Sequence, residues 1–467
     1  MLNKSIVSEA STAKMFTSAI SFGWSRAKRV LRNPIAANTM PIACASYVGA
    51  AIGMATNVVA ARLLGPTDFG LVAIITTYPT LLGSLFGVKS STISTQYIAK
   101  FRATGKSPEL LAICKFGYVL DLLVAIVTIG LVALTGSWVA EKFFDITGTG
   151  WLMLAYSMSF LSWPLLGTSV AILSSFERFG WLAGVHILGK MIECGVVIAL
   201  LFAGYGVAGF VLGVAASNIL IGIVAMKLAT LALKREAFDS WWRASLTEIT
   251  RFGKELAGLF RWNYVELTFS GLLEHVPLML LGILRGPADA GFYRVARSMA
   301  MACSYLEVSM SKVAYPLLAS VSATKGLHEL NAQVKRWTLT VGLGVGAAIL
   351  FVIPFMPFII TTVFGHQYSP MVLGVQIMTV ACAINAICFW LYGYFYASQN
   401  VAFWTKGGVI HTLVVIVLAG FVINHWGYIG MATLSTVGKV LFTLTLAIAS
   451  ARLPHSSQGA SAGAMVR

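Results

Sequence analysis

Gly65-Pro66-Thr67-Asp68-Phe69-Gly70 returns 221 positions later as Gly286-Pro287-Ala288-Asp289-Ala290-Gly291, each copy set between long apolar runs. Gly206-Val207-Ala208-Gly209 and Gly427-Tyr428-Ile429-Gly430 repeat at the same offset. A looser echo, at 220, pairs Thr104-Gly105-Lys106-Ser107-Pro108-Glu109-Leu110 with Thr324-Lys325-Gly326-Leu327-His328-Glu329-Leu330. Short motifs that share an offset mark an internal duplication, so the chain divides into two related halves.

The runs around these motifs give the class. With 58% hydrophobic and 11% charged residues and a mean hydropathy of +0.82, the chain belongs among membrane proteins. Crossing a bilayer takes about 20 apolar residues, and helices satisfy every backbone group internally. Twelve candidate spans follow, near residues 36–61, 71–98, 112–137, 150–173, 181–203, 205–230, 256–284, 292–320, 337–362, 369–396, 406–424 and 427–450. The expected fold is an all-α polytopic membrane protein with two pseudo-symmetric six-helix lobes around a central cavity. A basic tail (1–34) precedes the N-terminal lobe (35–230), a linker (231–255) leads to the C-terminal lobe (256–451), and a tail (452–467) ends the chain. Six spans per repeat is an even number, so both lobes enter the membrane in the same orientation.

Basic residues orient this plan, because cytoplasmic loops carry the excess of Lys and Arg. Of the 33, five (Arg62, Lys142, Arg285, Arg294 and Arg297) fall at the outer side, four (Lys89, Lys190, Lys312 and Lys439) within spans, and 24 at the inner side. Both termini are thus expected in the cytoplasm. The +16 net charge then reflects topology and anionic headgroups rather than nucleic acid. The stretch 22–29, Phe-Gly-Trp-Ser-Arg-Ala-Lys-Arg, reads as a surface-lying basic helix or a disordered tail. Trp241-Trp242-Arg243 in the linker suits the membrane interface. The six cysteines lie in apolar segments without metal-ligand spacing and read as packing residues. No cleavable signal peptide is visible.

Function is sought in the ionisable residues inside spans: Lys89, Asp121, Lys190, Glu193, Glu266, Glu274, Glu307, Lys312 and Lys439. Each would cost about 2.5–3.5 kcal/mol against lipid at mid-bilayer. Together that is on the order of 20–30 kcal/mol, so they are expected to face protein or water. Three stripes sharpen this. Span seven aligns Asn263, Glu266, Ser270, Glu274 and Pro277; span eight aligns Arg294, Arg297, Met301, Tyr305 and Lys312; span five aligns His186, Lys190 and Glu193. Lys89, Lys190, Arg294, Arg297 and Lys312 are the candidates for an anionic substrate, since guanidinium groups grip phosphate in bidentate fashion. Asp121, Glu266 and Glu274 are the candidates for coupling to H+ or Na+, with His275 a proton relay or a packing residue. The competing readings are an i, i+3 ion pair for Lys190 and Glu193, and interfacial anchoring for Arg294 and Arg297. Seven in-span prolines supply points where helices could bend.

Arg62-Leu63-Leu64-Gly65-Pro66-Thr67-Asp68-Phe69-Gly70, followed by Phe86-Gly87-Val88 and the polar end of span two, resembles the oligosaccharide flippases. These form the polysaccharide-transport branch of the superfamily that also holds multidrug exporters and the lipid II flippase. The resemblance covers essentially the whole chain, although the second copy has Ala290 where the first has Phe69. It implies a V-shaped pair of bundles in a bacterial inner membrane. These would carry undecaprenyl-pyrophosphate-linked oligosaccharide to the periplasmic leaflet by alternating access, for O-antigen or exopolysaccharide synthesis. A polysaccharide polymerase and a chain-length regulator are the protein partners it implies, with no cofactor. It transfers no individual binding residue: the arginine-rich first span of the lipid II flippase has no counterpart, since span one carries no charge before Arg62. A multidrug or cation antiporter and a non-transporting assembly scaffold are the alternatives. An enzyme is disfavoured, because the outer loops are short and no Asp-x-Asp metal motif occurs.

Overall fold

The computed structural model describes residues 34–87, 90–236, 238, 241–398 and 400–452. Lys89, the segment 22–29 and nearly all of both tails lie outside the described residues. The described residues form helices and turns, with no strand. Nine helical stretches among them are long and apolar enough to cross a membrane. Two of these, Cys44–Phe86 (43 residues) and Ala402–Ala451 (50 residues), are too long for single crossings. As rods they would measure about 65–75 Å against a hydrocarbon core of about 30 Å. Each breaks at a left-handed glycine, Gly65 (φ 77°) or Gly427 (φ 57°), into two spans. Span eight is too polar to count by hydropathy, yet it is continuous helix from Pro287 to a break at Gly326.

Twelve spans result: 34–64, 66–103, Ser107–Phe144, Gly150–Ser175, Phe179–Phe202, Gly206–Arg235, Gly253–Arg285, 287–325, 327–363, 366–397, 401–426 and 428–452. Within span two the first helix ends at Phe86, Gly87 is not helical, and helix is described again from Ser90. Several helices outrun the apolar windows read from sequence, because their polar ends continue into the headgroup region where backbone and side chains are solvated.

The duplication has a backbone signature. Gly65 and Gly286 share φ and ψ (77°, 173° and 86°, −178°), each followed by a proline whose fixed φ opens the next helix. Gly206 and Gly427 are also a left-handed pair, at φ 52° and 57°. Gly105 and Gly326 form a third, at φ 69° and 78°. These last two stand 221 residues apart, so the turn glycines set the third echo one residue off the 220 suggested by Glu109 and Glu329. A turn can absorb that one-residue slip, where a helix would rotate by about 100°.

Packing differs between the two ends of the bundle. At the end bearing the Gly65 and Gly286 turns, hereafter the turn end, one core spans both halves. Phe69, Val72 and Phe210 pack there in a cluster with Leu281, Tyr293, Tyr368 and Tyr428. At the opposite end, where the linker lies, the packing divides into two clusters, each drawn from one half apart from Leu256 at the start of span seven, which joins the first. Tyr97, Phe101, Leu110 and Trp241 belong to one, and Leu318, Leu330, Trp390 and Phe395 to the other. The lobes therefore share one core at the turn end, while at the linker end the start of span seven packs on the N-terminal half, with Lys100 Nζ 3.6 Å from Glu255 Oε1.

The two motif copies lie against each other at that junction. A methyl group on Gly70 would overlap the Pro287 carbonyl, and one on Gly291 would overlap the Pro66 carbonyl. The backbone nitrogen of each glycine is 3.1 Å from where the other's Cβ would stand. Only residues without a side chain let the backbones approach this closely. Arg62 Nε donates to the Val363 carbonyl (2.6 Å) and Arg62 Nη2 to that of Thr362, while the Tyr368 hydroxyl donates to the Ala61 carbonyl (3.0 Å).

Of the two linker tryptophans expected at the interface, Trp242 is exposed but Trp241 is 8% exposed and stacks on Tyr118 at 4.6 Å. Lys115 Nζ also donates to the Ala244 carbonyl (2.9 Å), so the linker is fastened to the N-terminal lobe. Trp241→Ala should cost about 3–5 kcal/mol locally, as for other large-to-small core changes. The expected result is faster proteolysis at the linker with unchanged membrane insertion; native-like protease resistance would contradict the docking.

Candidate functional site

Three adjoining cavities lie between the spans of the two lobes. The largest, about 730 Å³, lies between spans one, five and eight, and its lining includes Tyr47, Asn57, His186, Lys190, Ser298 and Tyr305. A second, about 470 Å³, lies among spans two, three, four and seven, with Ser84, Asp121, Trp163, Ser270, Glu274 and His275 among its lining residues. Between them is a cavity of about 240 Å³ that includes Thr76, Tyr156, Arg294 and Arg297. This middle cavity shares Ser298 and Met301 with the first and Thr80, Glu274 and His275 with the second.

The three stripes converge on this system. On span eight, Arg294, Arg297 and Met301 line the middle cavity, and Met301 and Tyr305 the largest. Both arginines point between the lobes. Arg297 Nη2 stands 3.0 Å from Glu274 Oε1, and its Nη1 donates to the Glu274 carbonyl (2.5 Å). Arg294 donates from Nη1 to Thr76 Oγ1 (3.0 Å), with its guanidinium carbon 5.2 Å and 5.9 Å from the ring centres of Phe69 and Phe210. No carboxylate among the described residues pairs with Arg294. Cation–π contact holds such a group in place without neutralising its charge.

On span five, Lys190 and Glu193 form the i, i+3 pair (Nζ to Oε2, 2.8 Å), and Lys190 lines the largest cavity at the same time. Its aliphatic stem lies over Gly49 and Gly53 of span one. Asp121 is 7% exposed, with Ser90 and Thr168 as neighbours; its Oδ2 faces Gly167, without a hydrogen-bond partner among the described residues. A buried carboxylate so placed is costly unless a proton or cation meets it.

Other candidates fall elsewhere. Lys312 is exposed on span eight, about two turns beyond Tyr305 on the same stripe and outside the cavity lining. Glu266 lies in span seven, but its side chain, like that of Asn263, is outside the described residues. Of the uncharged lining groups, Ser270, Met301 and Tyr305 belong to the stripes read from sequence, whereas those of span two were not singled out. Thr76, Thr80 and Ser84 follow one another every four residues along span two, and that polar spacing in an apolar run was the available signal. Among the described residues, no group of three or more His, Cys, Asp or Glu side chains is arranged to hold a metal ion.

Comparison with solved structures places this architecture. The lipid II flippase MurJ in an inward closed conformation matches with a TM-score of 0.68 at 16% identity, covering 88% of each chain. An inward-facing multidrug resistance MATE family transporter of the MOP superfamily also gives 0.68, at 12% identity, over 86% of this chain and 93% of that one. An outward-facing MATE family transporter gives 0.57 at 11% identity, over 89% and 94%. These likenesses establish the fold. By sequence, the inner membrane protein YghQ of Escherichia coli (strain K12) is 22% identical over 337 residues, 71% of this chain and 92% of that protein. The model of a family described as polysaccharide biosynthesis protein matches residues 59–373, from the end of span one into span ten. The chain, a multi-pass membrane protein with the two-lobe fold, belongs to that polysaccharide biosynthesis protein family.

Proposed function

We propose that the protein is a flippase. It carries undecaprenyl-pyrophosphate-linked oligosaccharide across a bacterial inner membrane, from the cytoplasmic to the periplasmic leaflet, for O-antigen or exopolysaccharide synthesis. Arg294 carries this reading: a cation without a carboxylate partner among the described residues, beside a cavity between two lobes. An arginine so placed suits a pyrophosphate, whose charge it meets with a forked set of donors. The basic loops make the linker end cytoplasmic and the turn end periplasmic. Lobes that share one core at the turn end and have largely separate cores at the linker end then present the cavity to the cytoplasmic leaflet, where the substrate is made. Transport follows from exchanging that arrangement for its opposite.

Lys190 and Arg297 assist with the anionic headgroup once it displaces Glu193 and Glu274. Asp121 and Glu274, with Glu266, couple the exchange to H+ or Na+. Both termini lie in the cytoplasm, and a polymerase and a chain-length regulator act on the product. The acidic lining of the second cavity favours one other reading, a cation or multidrug antiporter.

The test is reconstitution of the full chain in liposomes with undecaprenyl-pyrophosphate trisaccharide, scoring the glycan that becomes accessible to a lectin on the opposite face. Native protein should move the lipid, and Arg294→Ala should slow it about 100-fold, the scale of losing a strong charge-assisted contact. Asp121→Asn should retain binding but remove the response to an imposed ion gradient. No transport by the native chain, with gradient-driven export of a cationic dye instead, would replace this reading with the antiporter.

A further inference from the structure

Tyr47 of span one and Tyr305 of span eight meet across the two lobes, ring centres 6.3 Å apart and planes at 78°. Both line the largest cavity, yet they remain 43% and 40% exposed. An edge-to-face pair leaves broad ring surface uncovered, so the two rings form an aromatic corner open to the cavity. Small residues share this stretch of span one: Ala50 lines the cavity, and Gly49 and Gly53 let the Lys190 stem lie close beside the corner. Hydrogen-bonding groups share the lining with the rings, namely Asn57, His186, Lys190 and Ser298.

We propose that this corner is a carbohydrate subsite, which takes a pyranose ring of the substrate against Tyr47 and Tyr305 and its hydroxyls on the neighbouring polar groups. The inference rests on the flippase reading above and adds where the glycan sits. A pyranose presents a face of C–H groups with partial positive charge, and the face of a tyrosine ring carries the negative part of its quadrupole. Its rim carries hydroxyls that donate and accept, which suits Asn57, His186 and the Lys190–Glu193 pair. A purely apolar ligand would leave those groups unsatisfied. The third observation is adjacency. The corner's cavity adjoins the one beside Arg294, the two sharing Ser298 and Met301 in their linings, as a glycan adjoins its pyrophosphate. Tyr305 lies 11 residues beyond Arg294, about 16 Å along span eight, so the ring held is beyond the first sugar.

The experiment measures binding to the full chain in nanodiscs, free of glycoside detergent, with three probes: undecaprenyl pyrophosphate, the same lipid bearing a trisaccharide, and the free trisaccharide. Native protein should bind the glycosylated lipid about tenfold tighter than the bare lipid. Tyr47→Leu or Tyr305→Leu should bring that ratio to within about twofold while leaving the bare lipid's affinity unchanged. Tyr47→Phe and Tyr305→Phe keep the ring and should keep most of the ratio. Unchanged bare-lipid binding also shows that the leucine variants are folded. The proposal is overturned if the leucine variants keep the native ratio, or if they weaken both lipids equally. It also falls if the native chain prefers the free trisaccharide to the lipid-linked one. Equal native affinity for both lipids would remove the subsite and leave the flippase reading standing; no native affinity for either would remove both.

Discussion

Gly70→Val, or Gly291→Val, is expected to open the turn end and slow transport by at least about tenfold. The two positions hold the motif copies in backbone contact, and a side chain at either meets a proline carbonyl of the opposite lobe. A flexible neighbour could swing aside, but a carbonyl within a helical turn cannot move without carrying its helix with it. Overpacking of this kind costs about 1–3 kcal/mol, which changes the balance between two arrangements by roughly five- to a hundredfold. The penalty falls only on the arrangement in which the copies touch, so the population moves towards the one in which they part. Ala290, buried in the shared core one residue before Gly291, gives the readout. In an Ala290→Cys background, a membrane-impermeant maleimide added from the periplasmic side should label slowly while Gly70 is kept. Adding Gly70→Val should speed that labelling at least about tenfold, reporting the population shift. Equal labelling rates would mean that the crossing is fixed packing and takes no part in the exchange.

Much of this architecture is legible in the sequence because its determinants are local. Runs of about 20 apolar residues and glycines in left-handed turns act where they stand, so the spans and the duplication can be read directly. That Gly70 meets Gly291 is not legible, since a repeated motif says that two places are alike and nothing about whether they touch. Charge drew attention to Arg297, Glu274 and Lys190, which line adjoining cavities. It carried Tyr305 only as a member of the span-eight stripe and passed over Tyr47. Tyr47 sits in an apolar stretch of span one, and only the crossing of spans from different lobes brings it against Tyr305. Trp241 shows the opposite failure: its linker position fits an interfacial anchor, but a buried partner, Tyr118, fixes it elsewhere.

Glu274→Gln and Arg297→Gln should change substrate binding in opposite directions. The two side chains form a 3.0 Å ion pair in the small cavity between the other two, and the Arg297 end is the more buried, at 28% exposure against 49%. A half-exposed pair of this kind contributes little to stability, on the order of 1 kcal/mol or less, so neither change should unfold the protein. Its consequence lies in competition. A pyrophosphate reaching Arg297 has to displace the Glu274 carboxylate, and Glu274→Gln removes that competitor while keeping its shape. Undecaprenyl pyrophosphate should then bind about three- to tenfold tighter, which corresponds to roughly 0.7–1.4 kcal/mol. Turnover should fall nonetheless, because tighter binding to the starting state raises the step that follows and because the displaced carboxylate is no longer there to draw the arginine back. Arg297→Gln should weaken binding by about tenfold or more and lower turnover with it. Binding isotherms on the two variants, followed by transport assays on the same preparations, separate this from a structural pair. If both substitutions weaken binding alike, the pair is holding the helices in register, and the pyrophosphate is met by Arg294 alone.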